Sequence, residues 1–162
     1  MKETQMKKIF VLSTLSIAVL YSGFWPDFSF AYEHGKGNVD KNFARDNKKQ
    51  IVLDKKDKKF YYDAKPSKKM NYHDAVQYCE KMDYLGYTKW QLPTKEEMRS
   101  LLELSRRDVT VKHAFKHIQK GIYWSSTKDR KNEAWYFDFE LGRYFVADMN
   151  KKFYALCVGR EK

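Results

Sequence analysis

The chain has 162 residues, 43% hydrophobic and 17% aromatic, with 32 Lys+Arg against 21 Asp+Glu and a formal charge of +11. That aromatic content is too high for a disordered chain, and the length suits one domain with a core of its own. The positive field favours anionic partners such as sulfated or carboxylated glycans, lipid head groups, envelope phosphates or nucleic acid; the simpler reading is solubility.

Lys2, Lys7 and Lys8 precede an apolar run from Ile9 to Tyr21, and Ser29-Phe30-Ala31 then sets small residues where a signal peptidase cuts. Residues 1–31 are therefore expected to be an export signal cleaved after Ala31, leaving no stable membrane insertion. The alternative is an uncleaved anchor, although the run is shorter than the ~20 residues a spanning helix needs. Cleavage would remove three of the 32 Lys+Arg and two of the 21 Asp+Glu, so the mature chain stays strongly basic. It would be periplasmic, secreted or on the cell surface, where disulfides persist.

Residues 32–49 are rich in Gly, Asn, Lys and Asp without an apolar period and are expected to form a flexible tether, with the folded domain over 50–162. Gln50 to Asp54 and Lys59 to Tyr62 read as a β-hairpin around Lys55-Lys56-Asp57-Lys58. A first helix begins at Asn71, with Tyr72, Ala75, Val76, Cys79 and Met82 on its inward face at three- and four-residue steps. Gly86-Tyr87 breaks it. In Pro93-Thr94-Lys95-Glu96-Glu97, Thr94 and Glu97 have the spacing of a reciprocal capping box that opens a second helix, continued by Met98, Leu101, Leu102 and Leu104.

Residues 105–121 are expected to be a loop with a helical turn near Ala114 to Ile118. Four strands follow, Ile122 to Ser126, Ala134 to Phe139, Tyr144 to Met149 and Phe153 to Val158, the last three at hairpin distances that predict an antiparallel meander. Trp135, Phe137 and Phe139 alternate onto one face, which a pair of helices would cover. The fold class is α+β, two helices packed on an antiparallel sheet with a C-terminal meander. Cys79 and Cys157 allow one pairing, which would staple the first helix to the last strand for roughly 4 kcal/mol in the chain-entropy model. A redox-active pair, the alternative, calls for close spacing such as Cys-x-x-Cys.

A series of motifs then carries a resemblance: Ala75-Val76-Gln77-Tyr78-Cys79, Gly86 to Met98 with Trp90-Gln91-Leu92-Pro93-Thr94 at its centre, Tyr123-Trp124-Ser125-Ser126-Thr127, Ala134 to Phe139, and Cys157-Val158. From about Val52 to Arg160 the chain resembles the C-terminal domain of the Legionella collagen-like adhesin. The resemblance implies a C-type-lectin-like fold, related in architecture to the formylglycine-generating enzymes, with a first-helix cysteine bonded to a last-strand cysteine. It also implies a secreted or surface-exposed binding or adhesion module, that adhesin being associated with sulfated glycosaminoglycans. Its collagen-like repeats are absent from this sequence. Gln91, Leu156 and Gly159 stand where the family often has arginine, and Asp57-Lys58-Lys59-Phe60-Tyr61 replaces its Thr-Gly-Leu-Met-Trp-like segment.

The triplets and the Trp-Asn-Asp strand with which C-type lectins hold calcium are missing, so no calcium site is expected. His113 and His117 would share a helical face and could hold a transition metal, but no acidic or cysteine partner is near in sequence, and two surface histidines is the favoured reading. With Lys112, Lys116 and Lys120 they make a better candidate for contacting anions. Ser125, Ser126 and Thr127 lack the base and oxyanion hole of a serine nucleophile, and strand-end hydroxyls more often satisfy backbone groups. Trp90, Trp124 and Trp135 could stack on sugars, with core packing the commoner role. Lys55, Lys56, Lys58, Lys59, Lys65, Lys68 and Lys69 read as a solvated charge run, interrupted by Asp54, Asp57 and Asp63 and lacking a docking element for nucleic acid.

The expectation is an exported, non-enzymatic binding module for an anionic polysaccharide or envelope component, without cofactor, metal or nucleic acid. The alternatives are an enzyme or accessory with a vestigial formylglycine-type pocket, and a structural envelope protein without a small ligand.

Overall fold

The structure is a computed structural model and describes residues 42–160. The expected export signal and its cleavage point lie outside the described residues. The elements in chain order are β1 (Phe43–Asp46), β2 (Ile51–Asp54), β3 (Lys59–Tyr62), α1 (Tyr72–Glu80), α2 (Lys95–Ser100), β4 (Ile122–Lys128), β5 (Glu133–Asp138), β6 (Arg143–Asp148) and β7 (Val158–Arg160). They form two antiparallel sheets, one ordered β1-β2-β3-β7 and the other β4-β5-β6. This is the mixed helix-and-strand composition expected from sequence, with two differences in layout.

The first difference is that β7 is not the fourth strand of a meander. After β6 the chain crosses back: the Phe153 and Met70 amides exchange hydrogen bonds with each other's carbonyls, and Tyr154 bridges Tyr123 in parallel. It then joins the first hairpin, with Lys59 opposite Arg160 and Tyr61 opposite Val158. A hairpin-length spacer at Asn150-Lys151-Lys152 fits a meander equally well locally. What decides is burial: Val158 on β7 is fully buried, and Gly159 lets the Phe60 ring approach where a Cβ would meet it at 2.2 Å. An arginine could not occupy position 159 on this backbone without moving Phe60.

The second difference concerns the helices, which do not share one face. Consecutive residues of the central strands enter two different cores: Ile51 and Leu53 pack with Phe60, Trp90 and Trp124, whereas Val52 packs with Tyr61, Met98 and Phe137. Likewise Trp124 faces the α1 side with Tyr72, Ala75 and Cys79, and Tyr123 faces the α2 side with Met98 and Leu101. A strand covered on both faces loses the polar half of its alternation and becomes a continuous apolar run, as in Ile51-Val52-Leu53 and Tyr123-Trp124. Phe137 and Phe139 are fully buried on the α2 side, and Trp135, at the open end of the same face, is partly exposed.

Local signals fix where the helices start. The Asn71 side chain accepts from the Asp74 amide and caps α1. Thr94 and Glu97 form the reciprocal box at the start of α2, with Glu97 reaching the Thr94 amide at 2.8 Å. Both helices are shorter than their apolar stripes suggest. The α1 stripe continues to Met82, but the helix ends at Glu80, and Leu85 and Gly86 take positive φ in a turn that pairs Tyr84 with Tyr87.

Phe43–Asp46 falls within the stretch read as a tether and is instead a strand paired to β2, Phe43 opposite Asp54 and Asp46 opposite Ile51. Only Phe43 on it is apolar and buried, and Asp46 at its other end is buried too, its carboxylate accepting the Lys49 amide at 2.8 Å. Four residues with no alternation carry no strand signal; the partner edge of β2 supplies the order. Cys79 and Cys157 form the expected disulfide, with Cα atoms 5.4 Å apart and both residues buried.

Candidate functional site

The five residues singled out as an anion-contacting group, Lys112, His113, Lys116, His117 and Lys120, lie in an irregular loop that packs against the end of the first sheet. They are not on a helix, so His113 and His117 do not share a helical face. The reason is visible in the amides. The Lys112 N–H donates to the Leu101 carbonyl at 2.9 Å, those of Lys116 and His117 donate to the two carboxylate oxygens of Asp63 at 2.8 and 3.0 Å, and that of Gln119 reaches the Tyr123 hydroxyl at 2.9 Å. Each of these donors would have to serve an i−4 carbonyl in an α-helix.

Asp63 is the anchor of this loop. Its carboxylate, 1% exposed, also pairs with the Arg45 guanidinium, which is itself only 8% exposed. Arg45 donates further to the Asp63 carbonyl at 3.2 Å and lies 3.4 Å from His117 Nδ1. His117 therefore turns its ring towards Asp63 and Arg45, and Lys112 reaches Glu103 at 3.4 Å. His113, Lys116 and Lys120 stand on the exposed side of the loop. Phe115 and Val111, both buried, pin it to the core. Arg45 and Asp63 were not readable as partners: 18 residues separate them and neither sits in a motif.

A second charged centre occupies the opposite end of the same sheet. Glu97, buried, accepts from Arg160 at 2.6 and 3.1 Å and from Lys59 at 3.0 Å, and Arg160 also donates to the Gln91 side chain at 2.6 Å. Burial alone would raise the Glu97 pKa, but the hydrogen bonds from Arg160, the Thr94 amide and Lys59 outweigh it and hold the carboxyl below its usual range. Burial raises Asp54 instead, against the Lys56 and Asp57 amides that its carboxylate accepts. Tyr61, with its hydroxyl buried and unpaired, is pushed far up by burial and then by Glu97.

The depressed Glu97 carboxyl gives a pH prediction with a definite sign. A folded-state value below the unfolded one contributes stability above about pH 4.5, lost as pH falls through the folded value. Asp54 acts oppositely and softens the loss. Glu97→Gln should therefore be less stable than the native chain at neutral pH, and the difference should narrow on acidification; urea midpoints between neutral pH and about pH 3 measure it. A constant difference across that range would refute the assignment.

The remaining candidates resolve simply. Trp90 and Trp124 are core residues, their indole N–H groups donating to the Tyr87 and Met70 carbonyls at 2.8 and 3.0 Å. Lys95 lies 3.2 Å over the Trp135 ring. Thr127 accepts the Lys95 amide and Ser125 the Thr127 amide, so these hydroxyls satisfy backbone groups. Among the described residues no group of three or more His, Cys, Asp or Glu could hold a metal ion, and no helix is long and apolar enough to cross a membrane.

The described residues form a disulfide-stapled α+β unit with two antiparallel sheets and a braced basic loop at one sheet end. Its family is shown directly: the model described as the Lcl C-terminal domain matches residues 42–159, and the chain belongs to that family. The match begins ten residues earlier than the motif series suggested and takes in β1. A search of curated proteins finds no match. Among solved structures the chain is similar to that reported as the crystal structure of botrocetin, at 14% identity with a TM-score of 0.43, over 75% of this chain and 98% of that one. A likeness that slight carries no argument.

Proposed function

We propose that this protein is an exported, non-enzymatic binding or adhesion module of C-type-lectin-like type, taking an anionic glycan or another anionic envelope component on the 112–120 loop. Family membership and the disulfide, a bond that persists outside the reducing cytoplasm, support the export and adhesion parts of the reading. The observation that carries the ligand class is the orientation of charge at Asp63. That carboxylate is buried between Arg45 and two backbone amides, so it braces the loop from within. The outward side keeps His113, Lys116 and Lys120, on a backbone held by internal hydrogen bonds to Asp63 and Leu101.

Heparin serves as the probe. Reversing Lys112, Lys116 and Lys120 to glutamate should weaken heparin binding by about tenfold or more and flatten its salt dependence, with the urea midpoint as the control for folding. Unchanged affinity and salt slope in the folded triple variant would remove the loop from the site.

A further inference from the structure

Along the outer side of α1 runs a groove of about 670 Å³, within the size range of small-molecule sites. Its α1 side is built by Asp74, Gln77, Tyr78 and Lys81. Their 0, 3, 4, 7 spacing makes one helical stripe, adjacent to the one that carries Tyr72, Ala75 and Cys79 into the core. The facing wall is aromatic. Tyr62 and Tyr84 meet edge to face with centroids 4.8 Å apart, and the Tyr84 hydroxyl donates to the Lys49 carbonyl at 2.9 Å, which fixes that ring before a ligand arrives. Tyr62 and Tyr84 also pack edge-on against the fully buried Trp90. Burial lifts the Tyr62 hydroxyl to about 12, so it stays a neutral donor at ordinary pH.

The charge in the groove differs from that of the rest of the molecule. Lys65 and Lys81 are matched by Asp74 and Asp83 along the lining of a chain whose formal charge is +11. A sulfate or phosphate gains no net attraction from two cations set against two anions. An uncharged, hydroxyl-rich ring suits this lining on every side: its C–H faces can lie on the tyrosine rings, and its hydroxyls can donate to the two carboxylates and accept from the lysines and the Gln77 amide. Aromatic walls with a few convergent polar groups are the general form of such sites.

We propose that this groove is a binding site for an uncharged saccharide, distinct from the basic loop and independent of its anion binding. Tyr62 and Asp63 are successive residues that serve the two surfaces, Tyr62 lining the groove on the α1 side and Asp63 holding the loop on the α2 side. The two sites thus flank one end of the first sheet.

The test titrates chitotetraose, cellotetraose, maltotetraose and lactose into the isotopically labelled full-length protein and follows backbone amide shifts. At least one should give saturable shifts confined to residues 62–65 and 74–84, unchanged at about 0.5 M salt, where charge-driven binding is screened. Tyr78→Ala and Gln77→Ala should each weaken that binding about tenfold while leaving heparin affinity as it was. Gln77 is exposed, so its variant keeps the test valid if Tyr78→Ala proves unstable. The proposal is overturned if no sugar of the four shifts these amides, if the shifts map elsewhere, or if both variants bind as the native chain does. Loss of heparin binding in the loop variants with sugar binding intact would separate the two sites.

Discussion

Removing the Cys79–Cys157 bond, by reduction or by the double change Cys79→Ala with Cys157→Ala, is expected to lower the unfolding free energy by about 4.5 kcal/mol. The bond spans 78 positions, so most of the described chain lies inside the loop it closes, and loop-closure entropy in the unfolded state grows with that span. The native side adds to the effect. Cys157 immediately precedes β7, a strand of only three residues that has to reach β3 across the whole domain, and the Cys157 carbonyl accepts the Tyr62 amide at 2.9 Å. Without the covalent tie, that strand is held by three ladder positions on β3, the paired Gln91–Val158 backbone bonds and the Arg160–Glu97 ion pair. Since single domains are stable by about 5–15 kcal/mol, the loss is enough to unfold a marginal chain at body temperature. Urea unfolding with and without reductant reads the difference directly; a change below about 1 kcal/mol would mean that packing, not the bond, joins α1 to β7. Both sulfurs are buried, so reduction under native conditions should be slow and limited by opening of the domain.

Asp63→Ala should cost about 3–5 kcal/mol, an effect of the same order from a residue with no motif to advertise it. Arg45 would be left with its charge in a site 8% exposed, and the Lys116 and His117 amides would lose their acceptor together. Asp63→Asn retains one side-chain acceptor and should be milder. The local signature separates this account from a general loss of packing: hydrogen exchange should accelerate first across residues 111–120, ahead of the β4–β5 ladder. Should the Asp63→Ala chain unfold within about 1 kcal/mol of the native one, with that loop still protected, the brace assigned to Asp63 is wrong.

Punctuation in the sequence was legible where the chemistry is local. Asn71, the Thr94 and Glu97 pair and the Lys55 to Lys58 turn each act within a few residues, and all three mark element ends in the structure. The pairing of Cys79 with Cys157 needed no more than that there are two cysteines. What escaped was decided at long range. The three residues of β7 pair with a strand about 100 positions away in sequence; β1 exists because β2 offers an edge; and the 112–120 segment, read as a loop, is pinned by Asp63, the residue after β3, a partner no local signal names. Arg160 meets Glu97 across 63 positions, with no motif linking the two. The tyrosine groove was missed for another reason. The α1 stripe that lines it, mixed in charge and aromatic content, has no apolar period to set it apart from a solvated face.

The register of the first sheet fixes which way the domain looks. Phe43, Asp54, Lys59 and Arg160 line up at one end of the four strands, and the Lys55 amide donates to the Asn42 carbonyl there. Asp46, Ile51 and Tyr62 mark the far end, beside Asp63, where the braced lysines and the aromatic cleft sit. Residues 42 and 160 therefore lie at one end of the sheet, and the 112–120 loop and the tyrosine groove at the other. A ligand meeting the proposed surfaces would thus approach from the side opposite both ends of the described chain.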